Sequence, residues 1–159
     1  SDQYKILLKT SKLSPKLQAS LSKEIEESHC NMINQTMTDG MIAGQRVRDA
    51  VMTLAMTKYI DTSSVRVLVA GSGHVRRDRG VPYYLRGSYL RGLVKNSEIL
   101  SLAWLEVDEE QLEPSGYAQR WNADSLPFDV VWFTARADRP DPCEQFRKHM
   151  KKLKSKKAS

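Results

Sequence analysis

Val65-Arg66-Val67-Leu68-Val69-Ala70-Gly71-Ser72-Gly73-His74 decides the fold. Its first six residues are β-branched and nearly continuously apolar, the composition of a strand covered on both faces of a parallel sheet. Working back, Val47, Val51, Leu54 and Ala55 fall at i, i+4, i+7 and i+8. That spacing predicts a helix from about Asp39 to Tyr59 with those four residues as its buried stripe. Gln45, Asp49, Met52 and Met56 form a neighbouring stripe, and Asp61-Thr62-Ser63-Ser64 ends the helix. A helix feeding a buried strand is one αβ unit. Working forward, further strands are expected at Glu98–Val107 and Asp129–Thr134. The result is an α/β fold, a partly parallel sheet flanked by helices. Three strands are few for a buried sheet, so part of it is expected to lie outside this chain.

Two more helices announce their starts. Ser14-Pro15 is a cap followed by proline at the first helical position, and Leu17, Leu21 and Ile25 recur at helical spacing to about His29. A loop from Asn31 to Thr38 follows. Asp141-Pro142-Cys143-Glu144 has the same grammar with a glutamate three residues after the cap. Residues 4–9 are too short to classify, and Trp104, Trp121 and Trp132 are assigned to core packing.

The chain has 159 residues, enough for one compact domain, with 40% hydrophobic and 28% charged residues. No apolar run approaches the roughly 18 residues that span a bilayer. The net charge of +6 points to nucleic acid only until it is located. From Gln145 onward there are seven basic residues and no acid, which leaves −1 for residues 1–144. We therefore expect a domain over residues 1–146, a basic helical or disordered tail over 147–159, and no nucleic-acid partner. Contact with an anionic surface is the second reading of the tail. Cys30 and Cys143 lack metal-site spacing and are expected to be free thiols, with one long-range disulfide the alternative. His29 and Cys30 alone are too few to hold a metal.

Ligands of open α/β sheets bind outside the carboxyl ends of strands. There the sequence places Gly71, Gly73 and His74, followed by Arg76, Arg77, Arg79, Tyr83 and Tyr84, with Arg86 and Arg91 beyond and only Asp78 opposing locally. Arginine forks match carboxylates, and tyrosines offer a flat face with a polar tip. The set suits a planar ligand bearing carboxylates; a tight turn beside a solvated basic loop is the bland alternative. Gln45 and Asp49 are read as hydrogen-bonding anchors of the turn. No carboxylate–histidine pair is legible near it.

Gly71-Ser72-Gly73-His74-Val75-Arg76-Arg77-Asp78-Arg79-Gly80-Val81-Pro82 resembles the G-N-G-H-V-x-x-D-x-G-[VI]-P signature of the ChaN family of haem-binding proteins, in the Tiki and erythromycin esterase superfamily. Ser28-His29-Cys30, Gly44–Met52, Phe128–Thr134 and Asp141–Glu144 resemble four further family segments. Ser72 stands where the family has Asn, and the family's first half, with an L-G-E-x-H strand end, has no counterpart. The chain thus resembles the C-terminal half of a larger ChaN-like fold.

The resemblance implies haem as cofactor, held as a stacked pair in a homodimer, with tyrosinate on the iron and a histidine from the partner subunit. It places His74 as the distal histidine and Tyr117 as the iron ligand, with Tyr83 and Tyr84 as alternatives and Arg77 and Arg79 toward the propionates; read without the resemblance, Tyr117 is a loop aromatic covering the core edge. It also implies iron uptake at a bacterial cell envelope, membrane-associated in the manner of an iron-regulated lipoprotein, and binding rather than catalysis. The alternatives are a metal-dependent or histidine-based hydrolase, or a fragment inactive by itself.

Overall fold

The computed structural model describes residues 2–58, 65–95, 98–108 and 110–157. Helix α1 spans Gln3–Thr10, α2 Pro15–Ser28 and α3 Gln35–Thr57; α4 is a short turn of helix, Val81–Leu85. Strands β1 (Leu102–Glu106) and β2 (Val130–Thr134) pair in parallel, with Leu102 opposite Val130 and Glu106 opposite Thr134. Helix α5, Pro142–Lys157, runs unbroken across residue 146. The molecule is a small α/β domain, a two-stranded parallel sheet with helices beside it.

The caps lie where the side-chain chemistry puts them. Ser14 Oγ accepts from the Leu17 N–H at 3.3 Å, with Pro15 opening α2. Asn34 Oδ1 accepts from the Met37 N–H at 3.0 Å and starts α3 four residues ahead of the expected Asp39. Asp141 Oδ1 accepts from the Cys143 N–H at 2.9 Å at the head of α5. The Asp61–Ser64 stop lies outside the described residues.

Helix α3 does not bury its expected stripe. Thr38, Asp49, Ala50 and Thr53 face inward, whereas Val47, Val51 and Ala55 are exposed and Leu54 is half-buried. Polar contacts set its rotation. Arg46 donates to the Tyr84 hydroxyl and to the carbonyls of Leu8 and Ser11, and Asp49 accepts from His74. Small Ala50 then lets the helix close onto Leu7, Val81, Tyr84, Leu85 and Leu90. A second cluster, Ala103, Leu105, Tyr117 and Phe128, lies under the strands.

The Val65–Ala70 stretch is extended but carries no assigned strand ladder. Val65, Val67 and Val69 are 93%, 78% and 84% exposed, while Leu68 packs against the first cluster. An apolar cleft of about 590 Å³ lies between this stretch and the chain from Glu98 to Trp104. The expected burial on both faces therefore fails: helices cover one side only. For the same reason Trp104 and Trp132, opposite each other in the register, are 64% and 63% exposed rather than in the core. Trp121 is half-buried and meets Phe128 edge-on at 5.1 Å.

The cysteines are not free. Cys30, just after α2, and Cys143, in the first turn of α5, form a disulfide across a sequence separation of 113. Their distance along the chain hid the pairing, which folding reduces to 5.6 Å between Cα atoms. Among the described residues no helix is long and apolar enough to cross a membrane.

Candidate functional site

His74 ends a tight 3-10 turn, Ser72–His74, directly after the extended stretch. Its Nδ1 lies 2.6 Å from Asp49 Oδ1 on α3. The Asp49 side chain is 2% exposed and that of His74 21%. A carboxylate accepting from Nδ1–H fixes the tautomer and leaves the Nε2 lone pair available to a ligand. This is the carboxylate–histidine pair that sequence reading missed. The 25 residues between its members concealed it, although Asp49 had been read correctly as an anchor of the turn.

The glycines serve close approach. A Cβ on Gly80 would stand 2.3 Å from the His74 carbonyl oxygen and 2.9 Å from the Arg76 nitrogen, both backbone atoms, so the loop could fold back no other way. A Cβ on Gly73 would press on Gln45 Nε2 at 3.3 Å. At Gly71 the nearest atom, His74 Cδ2, is 4.0 Å away.

The arginines divide into two groups. Arg76 is fully buried and donates to both Asp78 oxygens at 2.9 and 2.6 Å, to Glu24 Oε2 at 2.6 Å and to the Trp121 carbonyl at 2.9 Å. Arg79, also buried, donates to the same Glu24 oxygen and to Ser20 Oγ. These two bolt the turn to α2, and the burial and pairing of Arg79 close it to an outside carboxylate. Arg77 is half-buried; it donates to Asp129 Oδ1 at 3.0 Å and borders a cleft of about 580 Å³ with Lys16 and Arg86. Sequence reading found only Asp78 opposing the arginines, because Glu24 and Asp129 lie on distant segments.

The tyrosines divide similarly. The Tyr117 ring is buried against Phe133, and its hydroxyl accepts from the Asp108 N–H and donates to the Gln111 carbonyl. It closes the core edge and presents no open oxygen. Tyr84 is buried, and burial raises its pKa, which disfavours a phenolate. Tyr83 is half-buried, its hydroxyl donating to the Lys12 carbonyl at 2.8 Å.

The apolar cleft beside the extended stretch is lined by Ser72 and Val75, on either side of His74, and by Leu68, Val81, Pro82 and Leu102. His74, oriented by a carboxylate, thus lies between two residues that line an apolar cleft. Residues 1–85 match the profile of the family described as haem-binding uptake, Tiki superfamily, ChaN. The match covers more than half of the chain and includes the whole Gly71–Pro82 signature, so this protein belongs to that family, whose cofactor is haem. No curated protein and no solved structure matches the chain.

Burial raises the Asp49 pKa from 3.8 to about 6, against the opposing hydrogen bond and charge of His74. A carboxyl raised in the folded state binds its proton more tightly there than in the unfolded chain. Its contribution to stability is full below about pH 4 and is lost as pH rises through about 6, by roughly 3 kcal/mol. Urea unfolding of the ligand-free protein should show this falling slope between pH 4 and 6, and Asp49→Asn should flatten it. A slope unchanged by the substitution would assign it elsewhere.

Proposed function

We propose that this protein binds haem for iron uptake through the Ser72–His74 turn, with His74 Nε2 directed at the iron side of the cofactor. The observation that carries this reading is the 2.6 Å contact from His74 Nδ1 to buried Asp49, which leaves the second ring nitrogen open. The residues fit the group. The neighbouring cleft supplies apolar walls for a porphyrin; Arg77, the more open of the two proposed arginines, borders a second cleft rather than this one and would have to leave Asp129 to meet a propionate. Bound haem would supply iron-centred ligand binding; this chain's part is to present one oriented nitrogen, exclude water from the ring faces and neutralise the propionates.

Of Tyr83, Tyr84 and Tyr117, Tyr83 alone is half-buried rather than buried, so we place the phenolate role there, where ligation would release its hydroxyl from the Lys12 carbonyl. A stacked pair of haems between two copies accounts for a site open on one side. Such a dimer would assemble on ligand addition.

A haemin titration followed in the visible spectrum tests the reading. Wild type should saturate. His74→Ala should abolish the specific spectrum, and Asp49→Asn should weaken binding about 10- to 100-fold, the usual cost of losing a partner behind a ligand. Tyr117→Phe should leave the spectrum unchanged, and size-exclusion chromatography should show haem-dependent dimers. Equal binding by wild type and His74→Ala would reject the assignment.

The same Asp49–His74 pair is also the arrangement of a general base, which favours histidine-based hydrolysis as a second reading. Among the described residues no hydroxyl or thiol is hydrogen-bonded to His74 Nε2, and no group of three metal-ligating side chains is present. Ester turnover lost in His74→Ala without any haem binding would favour this second reading.

A further inference from the structure

Helix α5 is fixed to the body at one end. Its first turn carries the Cys143–Cys30 disulfide, and Phe146 meets the edge of His29 at 6.1 Å. Beyond that turn Arg147, Lys148, His149 and Lys151 are exposed. Arg147 and Lys148 pair with Asp141 and Glu144 at the head of the helix. After Glu144 the sequence holds no acid, while Lys151, Lys152, Lys154, Lys156 and Lys157 follow within seven positions. Phe146, Met150 and Leu153 recur at i, i+4 and i+7, the spacing of a narrow apolar stripe.

A basic helix with an apolar stripe, tied to a nearly neutral body, is built to lie on a negatively charged interface. We propose that α5 docks the protein on an anionic phospholipid surface. Two observations favour lipid over nucleic acid. Duplex recognition has no use for the apolar stripe, and the disulfide belongs to surroundings in which thiols stay oxidised, away from nucleic acid. The inference rests on α5 and the disulfide alone and is independent of haem.

Vesicle co-sedimentation of the full chain is the test. Vesicles of phosphatidylcholine mixed with phosphatidylglycerol should bind it at low salt and release it at about 1 M salt, where screening shortens to about 3 Å. Pure phosphatidylcholine should not bind it. Each basic residue near such a surface strengthens attachment several-fold, so the combined variant Lys151→Gln, Lys152→Gln, Lys154→Gln, Lys156→Gln should bind more than about tenfold more weakly. Arginine at the same four positions should restore binding, and circular dichroism should show all variants folded. Equal binding of the glutamine variant, equal binding to neutral vesicles, or displacement from anionic vesicles by equimolar duplex DNA would overturn the proposal.

Discussion

Glu24→Gln should destabilise the protein by about 3–5 kcal/mol, the cost of removing one partner from a buried ionic cluster. Glu24 Oε2 accepts from both Arg76 and Arg79, each almost wholly buried. Arg76 would keep both oxygens of Asp78, while Arg79 would keep the Ser20 hydroxyl and at best a share of a neutral amide oxygen in place of the carboxylate. Burial already lowers the Arg79 pKa, and the charge of Glu24 opposes that effect. Without it, a guanidinium that cannot readily lose its proton would remain in the interior. Thermal unfolding should fall by about 10 °C or more for a chain of this size. Glu27→Gln on the same helix is the control: its pairing with Lys23 is solvent-exposed and should change stability by less than about 1 kcal/mol. A Glu24→Gln midpoint equal to that control would show that the arginines find other partners.

Removing the disulfide should cost about 2–5 kcal/mol, because the bond closes a long loop and limits the unfolded chain. Its separation of 113 residues places it near the upper end of that range, where the chain-entropy relation gives about 4.7 kcal/mol for a loop of about 100 residues. The double variant Cys30→Ser, Cys143→Ser should unfold at lower denaturant than the oxidised protein and at the same concentration as the reduced protein. If reduction leaves the midpoint unmoved, the covalent link contributes nothing to the native state.

Local signals were readable in the sequence and relational ones were not. Ser14-Pro15 and Asp141-Pro142 marked helix starts correctly, because a cap bonds to atoms two or three residues away. Strands β1 and β2 fell inside their expected spans, both short apolar runs that carry an aromatic residue. The face of α3 was misread because its rotation is set by Arg46 and Asp49 reaching α1, α4 and the 71–74 turn, while periodicity saw only Val47 and Val51. The valines at 65, 67 and 69 read as buried, yet burial depends on what else covers the sheet. In the site, the Gly71–Pro82 signature located the turn and His74, and Asp49 was recognised as an anchor. The split of the arginines into internal bolts and an open one turned on Glu24, 52 positions from Arg76. Tyr117 carried two readings, iron ligand by family likeness and core-edge aromatic by its loop, and its two hydrogen bonds fit the second.

The bond between Cys30 and Cys143 also turns most of the molecule into a closed covalent ring. Helix α3, His74 with its aspartate, and both strands lie within that ring, whereas α1, all of α2 and the lysine-rich part of α5 hang from it as tails. A protease that nicks any loop between the two cysteines opens the ring but releases no piece. The severed ends stay joined, so a nicked molecule can still hold Asp49 against His74. A cut in α5 beyond Cys143, by contrast, detaches the basic segment outright. Damage to the binding site and loss of the positively charged arm are therefore separate events, and a protein trimmed of its arm keeps the whole of its ring.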